Sequence, residues 1–206
     1  MKEIKDYLTY QGVQYRNPDK VGDEKDKMIA FRKKGQEARK RFTQIAKCFQ
    51  ERHSDWDLHP TSQWMNQAQR LRPHFWAYLQ REGQVSEPMM ALRIFGNPND
   101  FGISLEVSFI ERKKDEGILS KQAKVLDVPV VEGIYYWVQK NEESYRVQAT
   151  EGHRQLLRQQ LSSREIRKVL VKADVSVTNE ESLAKILHEL DRNFEKLLPY
   201  YQATRN

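Results

Sequence analysis

Two hydrophobic periods within one chain limit what it can fold into. From Met28 to Phe49 the residues Met28, Phe31, Gly35, Ala38, Phe42, Ile45 and Phe49 recur at spacings of 3 and 4, which lines them up on one face of an α-helix. From Ile103 to Phe109 the period is 2. Ile103, Leu105, Val107 and Phe109 alternate with Ser104, Glu106 and Ser108, the pattern of a strand that buries one side. The helical period returns at Leu183, Ile186, Leu187, Leu190, Phe194, Leu197, Leu198 and Tyr201. A chain with helices at both ends and strands between them reads as α+β.

The remaining segments fit that frame. A short helix opens the chain and gives way to a loop through Asn17-Pro18, and the long helix spans about 23–52. A second, shorter helix is expected from about Thr61, with Pro60 near its start. Then Pro73 marks a strand start, with Phe75, Ala77 and Leu79 on one side and His74, Trp76 and Tyr78 on the other. "PMMALRIFG" and "FGISLEVSFIER" follow as strands joined by the turn "NPND", giving an antiparallel meander with one wet face. A helix or loop ending at Pro129, a hairpin turning around Lys140 to Glu143, a short helix "EGHRQLLRQQL" and a strand "RKVLVKADVSV" complete the middle. Thr178 and Glu181 have the spacing of a capping box before the last helix. The expected architecture is a mainly antiparallel sheet with a long N-terminal helix and a C-terminal amphipathic helix packed on it. It forms one domain, 1–206, made of a helical segment 1–70, a sheet with helical insertions 71–175 and a C-terminal helix 176–206.

Charge and composition restrict function more than they define it. The net charge is +6 and 31% of residues are charged, yet Phe 8, Trp 4 and Tyr 9 argue against a disordered polar chain. A basic balance admits nucleic acid or another anionic ligand as a partner. The long helix carries Arg32, Lys33, Lys34, Arg39, Lys40, Arg41 and Lys47, which read as the solvated face of an amphipathic helix rather than a phosphate ridge. Cys48 is the single cysteine, so no disulfide forms within the chain. There is no apolar leader at the start and no run of 18 apolar residues. A cytoplasmic protein without a membrane partner is the expectation.

Several chemistries lack their motifs. No G-x-G-x-x-G, no G-x-x-x-x-G-K-[ST] and no G-x-S-x-G occurs, so a dinucleotide site, a P-loop and a serine-hydrolase elbow are not expected. No cofactor is called for. The five histidines form no H-x-x-x-H pair, and His53, Asp55, Asp57 and His59 are read as a polar loop rather than a metal site. Asp100 with Glu111-Arg112-Lys113 imitates the D…E-x-K of metal-dependent nucleases. A strand between Asp100 and Glu111 would hold them roughly 35 Å apart, too far to share a metal.

"QWMNQAQRLRPHFWA", "YYWVQ" and the terminal "LLPYYQ" together resemble an uncharacterised family of small bacterial proteins. The matching pieces are Trp64, 72–77, 135–139 and 197–202. Some members bear the label glucose-6-phosphate 1-dehydrogenase. That label does not suit this chain, which lacks the glycine-rich nucleotide turn and the length for a cofactor domain beside a sugar-phosphate domain. The resemblance implies no established activity and no catalytic residues. The aromatic antiparallel sheet and basic charge are also similar, at the level of fold, to DNA-reading domains attached to modification-dependent restriction systems.

The candidate surface is the polar face of the sheet: His74, Trp76, Tyr78, Arg93, Glu106, Trp137 and Arg146. If the two hairpins share one sheet, these rings stack on a ligand and the arginines pair with its carboxylate or phosphate. A non-enzymatic binding or accessory protein, with nucleic acid as the most specific version, is the first reading. Two others stay open: a hydrolase or transferase using His74 and Glu106 as acid and base, and a homo-oligomer that buries the long helix or the aromatic face against its own copy.

Overall fold

A computed structural model describes residues 1–72, 74–81, 87–110, 116–177 and 181–205. The expected strand start at Pro73, the Glu111-Arg112-Lys113 triplet and Thr178 lie outside the described residues. Among these residues five α-helices run Lys2–Leu8 (α1), Lys25–Arg52 (α2), Glu116–Ala123 (α3), Glu151–Ser162 (α4) and Leu183–Arg205 (α5). Seven strands run Asp57–Leu58 (β1), Trp76–Gln80 (β2), Met89–Asn97 (β3), Asp100–Ser108 (β4), Tyr135–Lys140 (β5), Glu143–Gln148 (β6) and Lys168–Val177 (β7). The fold is α+β, and no helix among the described residues is long and apolar enough to cross a membrane.

The strands form one antiparallel sheet in the order β1-β2-β3-β4-β7-β5-β6. The last strand is the centre of the design. β7 pairs with β4 on one side and β5 on the other, so it joins the meander to the second hairpin. Register then divides the side chains between two faces. Ala77, Leu79, Met90, Leu92, Ile94, Ile103, Leu105, Val107, Tyr136, Val138, Val171 and Ala173 face the helices and are buried. Trp76, Tyr78, Arg93, Glu106, Lys172, Asp174, Tyr135, Trp137 and Arg146 share the opposite face.

α2 lies on the first face through the stripe legible in its sequence. Met28, Phe31, Gly35, Ala38, Phe42, Ile45 and Phe49 are all buried. Phe75, just before β2, stacks between Tyr7 of α1 at 4.5 Å and Phe42 of α2 at 6.0 Å. α5 buries Ile186, Leu190, Phe194, Leu197 and Tyr201. It passes through Pro199 without ending, and its Tyr200 hydroxyl donates to the Pro129 carbonyl at 2.8 Å.

The helix expected from Thr61 does not form. Residues 59–71 run irregularly, tied by single bridges between Gln14 and Arg70 and between Met65 and Leu71. Arg39 of α2 donates to the carbonyls of Thr61 and Ser62 at 2.9 Å each. Trp64 rests edge-on against Tyr15 and Phe31, so close to Gly35 that an added Cβ there would sit 2.5 Å from the ring. Those tertiary contacts claim the groups a helix would need. Thr178 of the expected capping box lies outside the described residues, and the described start of α5 carries a cap of its own. Ser182 Oγ accepts from the Lys185 amide at 3.2 Å, while Glu181 pairs with Lys185 at 2.9 Å. Ser182 therefore does the capping.

The start of α4 is capped as sequence rules suggest. Thr150 is extended (φ −135, ψ 158) and its hydroxyl accepts from the His153 amide at 3.1 Å. Thr150→Ala is expected to cost about 1 kcal/mol, read as a lower urea midpoint with an unchanged slope. Thr150→Asn should keep most of that stability.

Candidate functional site

The polar face does not form a wet surface. Ser104, Glu106 and Ser108 of β4 are buried along with Lys172 of β7, and the long side chains of Arg93 and Lys172 from the neighbouring strands close over Glu106. The expectation of one wet face is therefore corrected: its centre is a covered polar layer with an opening above it.

Glu106 anchors that layer and is fully buried. It stands directly opposite Lys172 and diagonal to Arg93, whose direct partner is Ser104. Arg93 donates from Nε and Nη2 to Oε1 of Glu106 at 3.1 and 2.9 Å. Lys172 Nζ lies 2.5 Å from Oε2 in a close ion pair. Burial alone would raise the Glu106 carboxyl, but the fields of Lys172 and Arg93 outweigh it and hold the group well below the usual carboxylate range. It is anionic at any physiological pH.

A second triad sits beside the first. Tyr135, opposite Lys172, donates its hydroxyl to Asp174 Oδ1 at 2.9 Å, and Arg146 Nη1 donates to Oδ2 at 3.0 Å. Burial pushes the Asp174 carboxyl upward against the pull of those two hydrogen bonds. The Tyr135 hydroxyl is raised by burial and then by Asp174. Aromatic rings and cations interleave throughout. Arg146 lies 3.7 Å from the Tyr135 ring centre and Lys172 lies 5.1 Å from that of Trp137. Trp76 has Arg72 at 4.7 Å and Arg93 at 5.2 Å.

Above these triads opens a cavity of about 500 Å³. It takes in five of the residues singled out from sequence: His74, Arg93, Glu106, Trp137 and Arg146. Trp76 and Tyr78 do not line it. They stand on the β2 side of Arg93, which is hydrogen-bonded to Tyr78. β7 contributes Lys168, Lys172 and Asp174, which were not among the candidates, and Tyr135 of β5, an aromatic that the strand pattern puts on the same face as Trp137, also lines it. Lys168, Leu170, Lys172 and Asp174 alternate with Val169, Val171 and Ala173, which assigns them to one face of a strand but not to its neighbours. Among the described lining residues, four cationic side chains (Arg93, Arg146, Lys168, Lys172) face two acidic ones.

His74 is driven down to about 4, first by burial and then by the positive fields of Arg93 and Lys172. Its imidazole is neutral at pH 7. The polar loop that gathers His53, Asp55, Asp57 and His59 in sequence is dispersed in space. His53 meets Asp191 at 3.1 Å, Asp55 meets Arg81 at 3.1 Å and His59 meets Gln80 at 3.0 Å. The basic residues of α2 are largely exposed, several in ion pairs: Lys33 with Glu37, Lys34 with Asp6 and Arg52 with Asp191. This sequence matches no protein-family model and no curated protein, so function must be argued from the site's own geometry.

Proposed function

We propose that this protein binds an anionic ligand bearing a flat ring on the open face of its sheet, with nucleic acid the version that best suits the site. A non-enzymatic binding role in the cytoplasm is the corresponding reading. The observation that carries it is the register. It draws Arg93, Lys172, Lys168 and Arg146 from three strands into one cavity beside Trp137 and Tyr135. Cations in excess attract the anion, and the rings supply stacking surface. Arg146 is the most accessible of the four as a first contact, with its side chain 60% exposed.

The acid–base reading is less well supported. It asks His74 and Glu106 to exchange protons near neutral pH. Glu106 is held anionic by two cations and His74, at about 4, is a weak base there. For self-association, the large exposed apolar side chains among the described residues are Val13, Ile29, Tyr145 and Leu156, single residues of four different chain segments.

Nucleic-acid binding has a measurable signature in salt. If a single strand places three phosphates at Arg93, Lys168 and Arg146, the slope of log affinity against log salt is about −0.7 per phosphate, or roughly −2 in all. Raising salt from about 50 to 200 mM should then weaken binding about 20-fold. Titrating a labelled mixed-sequence single strand and following its anisotropy checks this. Salt-independent affinity would point to an uncharged ring, and no binding at low salt would end the proposal.

A further inference from the structure

We propose that the open face takes a single-stranded oligonucleotide laid diagonally across the strands, long enough to reach both Trp76 and Trp137. This rests on the reading of that face as an anion-and-ring site, but goes beyond it in ligand length and strandedness.

The diagonal follows from the pairing. Trp76 opposes Arg93, and Arg93 opposes Ser104 on β4 and, through it, Asp174 on β7. Two residues further along each strand, Glu106 opposes Lys172 and Lys172 opposes Tyr135. Two residues further again, Leu170 opposes Trp137 and Trp137 opposes Arg146. The polar side chains therefore step across the sheet from Trp76 through Arg93, Glu106, Lys172 and Trp137 to Arg146. β2 and β5 are four places apart in the strand order. At roughly 4.8 Å per strand and 3.3 Å per residue, the two indoles stand about 19 Å apart across the strands and about 13 Å along them. The diagonal is about 23 Å.

A single nucleotide does not span that distance, so one mononucleotide uses one ring. A stacked strand advances about 3.4 Å per nucleotide, and an unstacked one roughly twice that. About five unstacked nucleotides, four intervals of roughly 6.8 Å, bridge the rings. The cations occupy intermediate positions suited to phosphate: Arg72 and Arg93 flank Trp76, Lys168 lines the same cavity as Trp137, and Arg146 stands at the far rim, while Lys172 is held by Glu106. A guanidinium over an indole presents a flat stacking surface and a phosphate fork in the same group. Duplex nucleic acid hides its base faces in its own stack, so indole platforms discriminate for unpaired bases. An acidic peptide would use the cations but bring no flat ring to stack against the two indoles.

The test is a length series. Labelled oligothymidylates of one, two, four, six and eight nucleotides are titrated by anisotropy into the wild type, Trp76→Ala and Trp137→Ala proteins, with thermal unfolding confirming each fold. Wild-type affinity should rise at least 10-fold between two and four to six nucleotides. Trp76→Ala should remove that rise while leaving binding of the mononucleotide within twofold, and Trp137→Ala should weaken every length. Affinity that stays flat from one nucleotide upward would overturn the diagonal strand and leave the single-ligand cavity standing. A duplex of the same length binding as tightly would overturn single-strand selectivity. No binding at any length would overturn both readings.

Discussion

Replacing Glu106 by alanine is expected to destabilise the protein by roughly 3–5 kcal/mol, an effect that a surface carboxylate could not produce. Glu106 is fully buried between Arg93 and Lys172. Its removal leaves two largely enclosed cations facing one another with no counter-charge. Glu106→Gln should cost less, because an amide oxygen can still accept from Arg93. Replacing the whole group with Arg93→Met, Glu106→Leu and Lys172→Met together should recover most of the lost stability, since a buried ion triad and a packed apolar cluster are often close in free energy. Urea unfolding of the four proteins decides it. If the alanine variant is within about 0.5 kcal/mol of wild type, the carboxylate is not enclosed as described.

The same group makes a pH prediction. Its folded pKa lies below its unfolded value, so its contribution is complete above about pH 4.3 and is lost as pH falls through the lower folded value. The stability gap between wild type and Glu106→Ala should be constant from about pH 8 to 5 and narrow below about 4. His74 shifts in the same direction, from about 6.5 unfolded to about 4 folded. Its share is present above about pH 6.5 and is lost between there and about 4. Acid therefore weakens the site in two stages.

Phe75 and Trp76 provide the second large contrast. They are adjacent in the chain yet serve opposite faces of the sheet. Phe75→Ala removes a fully buried ring that stacks on Tyr7 and Phe42, so a loss of about 3–5 kcal/mol is expected, with binding unchanged in whatever fraction remains folded. Trp76→Ala removes a half-buried ring whose neighbours are Arg72 and Arg93. It should cost about 1–2 kcal/mol while losing the length-dependent part of oligonucleotide affinity. Urea midpoints and anisotropy measured on both variants separate the two faces. An inverted result would mean that the helices cover the face assigned to the ligand.

The parts legible in the sequence are those where period alone decides. The stripe of α2 was readable residue by residue, as was the alternation of β4, because both depend on one element's own geometry. The turn between β3 and β4 was also clear. Asn97 Oδ1 accepts from the amides of Asn99 and Asp100, and Gly96 at φ 92 leaves no room for a Cβ, which would meet the Asp100 carbonyl at 2.1 Å. What escaped depends on partners distant in the chain. Nothing local in "RKVLVKADVSV" says that β7 lies between β4 and β5, so Lys168, Lys172 and Asp174 could not be assigned to the site. The burial of Glu106 escaped for the same reason, since it takes Arg93 and Lys172 from two other strands to enclose it. The segment 59–71 has helix-compatible composition, but Arg39 and Gly35 on α2 hold it in another shape.

Charge reversal at two cations tests most directly whether the sheet face is the binding surface. Arg146→Glu alters the exposed rim of the cavity, and Lys47→Glu alters the exposed face of α2. Each is titrated with a labelled single strand of about eight nucleotides at about 50 mM salt, where electrostatic contributions are large. Arg146→Glu should weaken binding at least 10-fold while Lys47→Glu stays within about twofold of wild type. Equal losses, or a loss confined to Lys47→Glu, would contradict the account and place the binding surface on the helix.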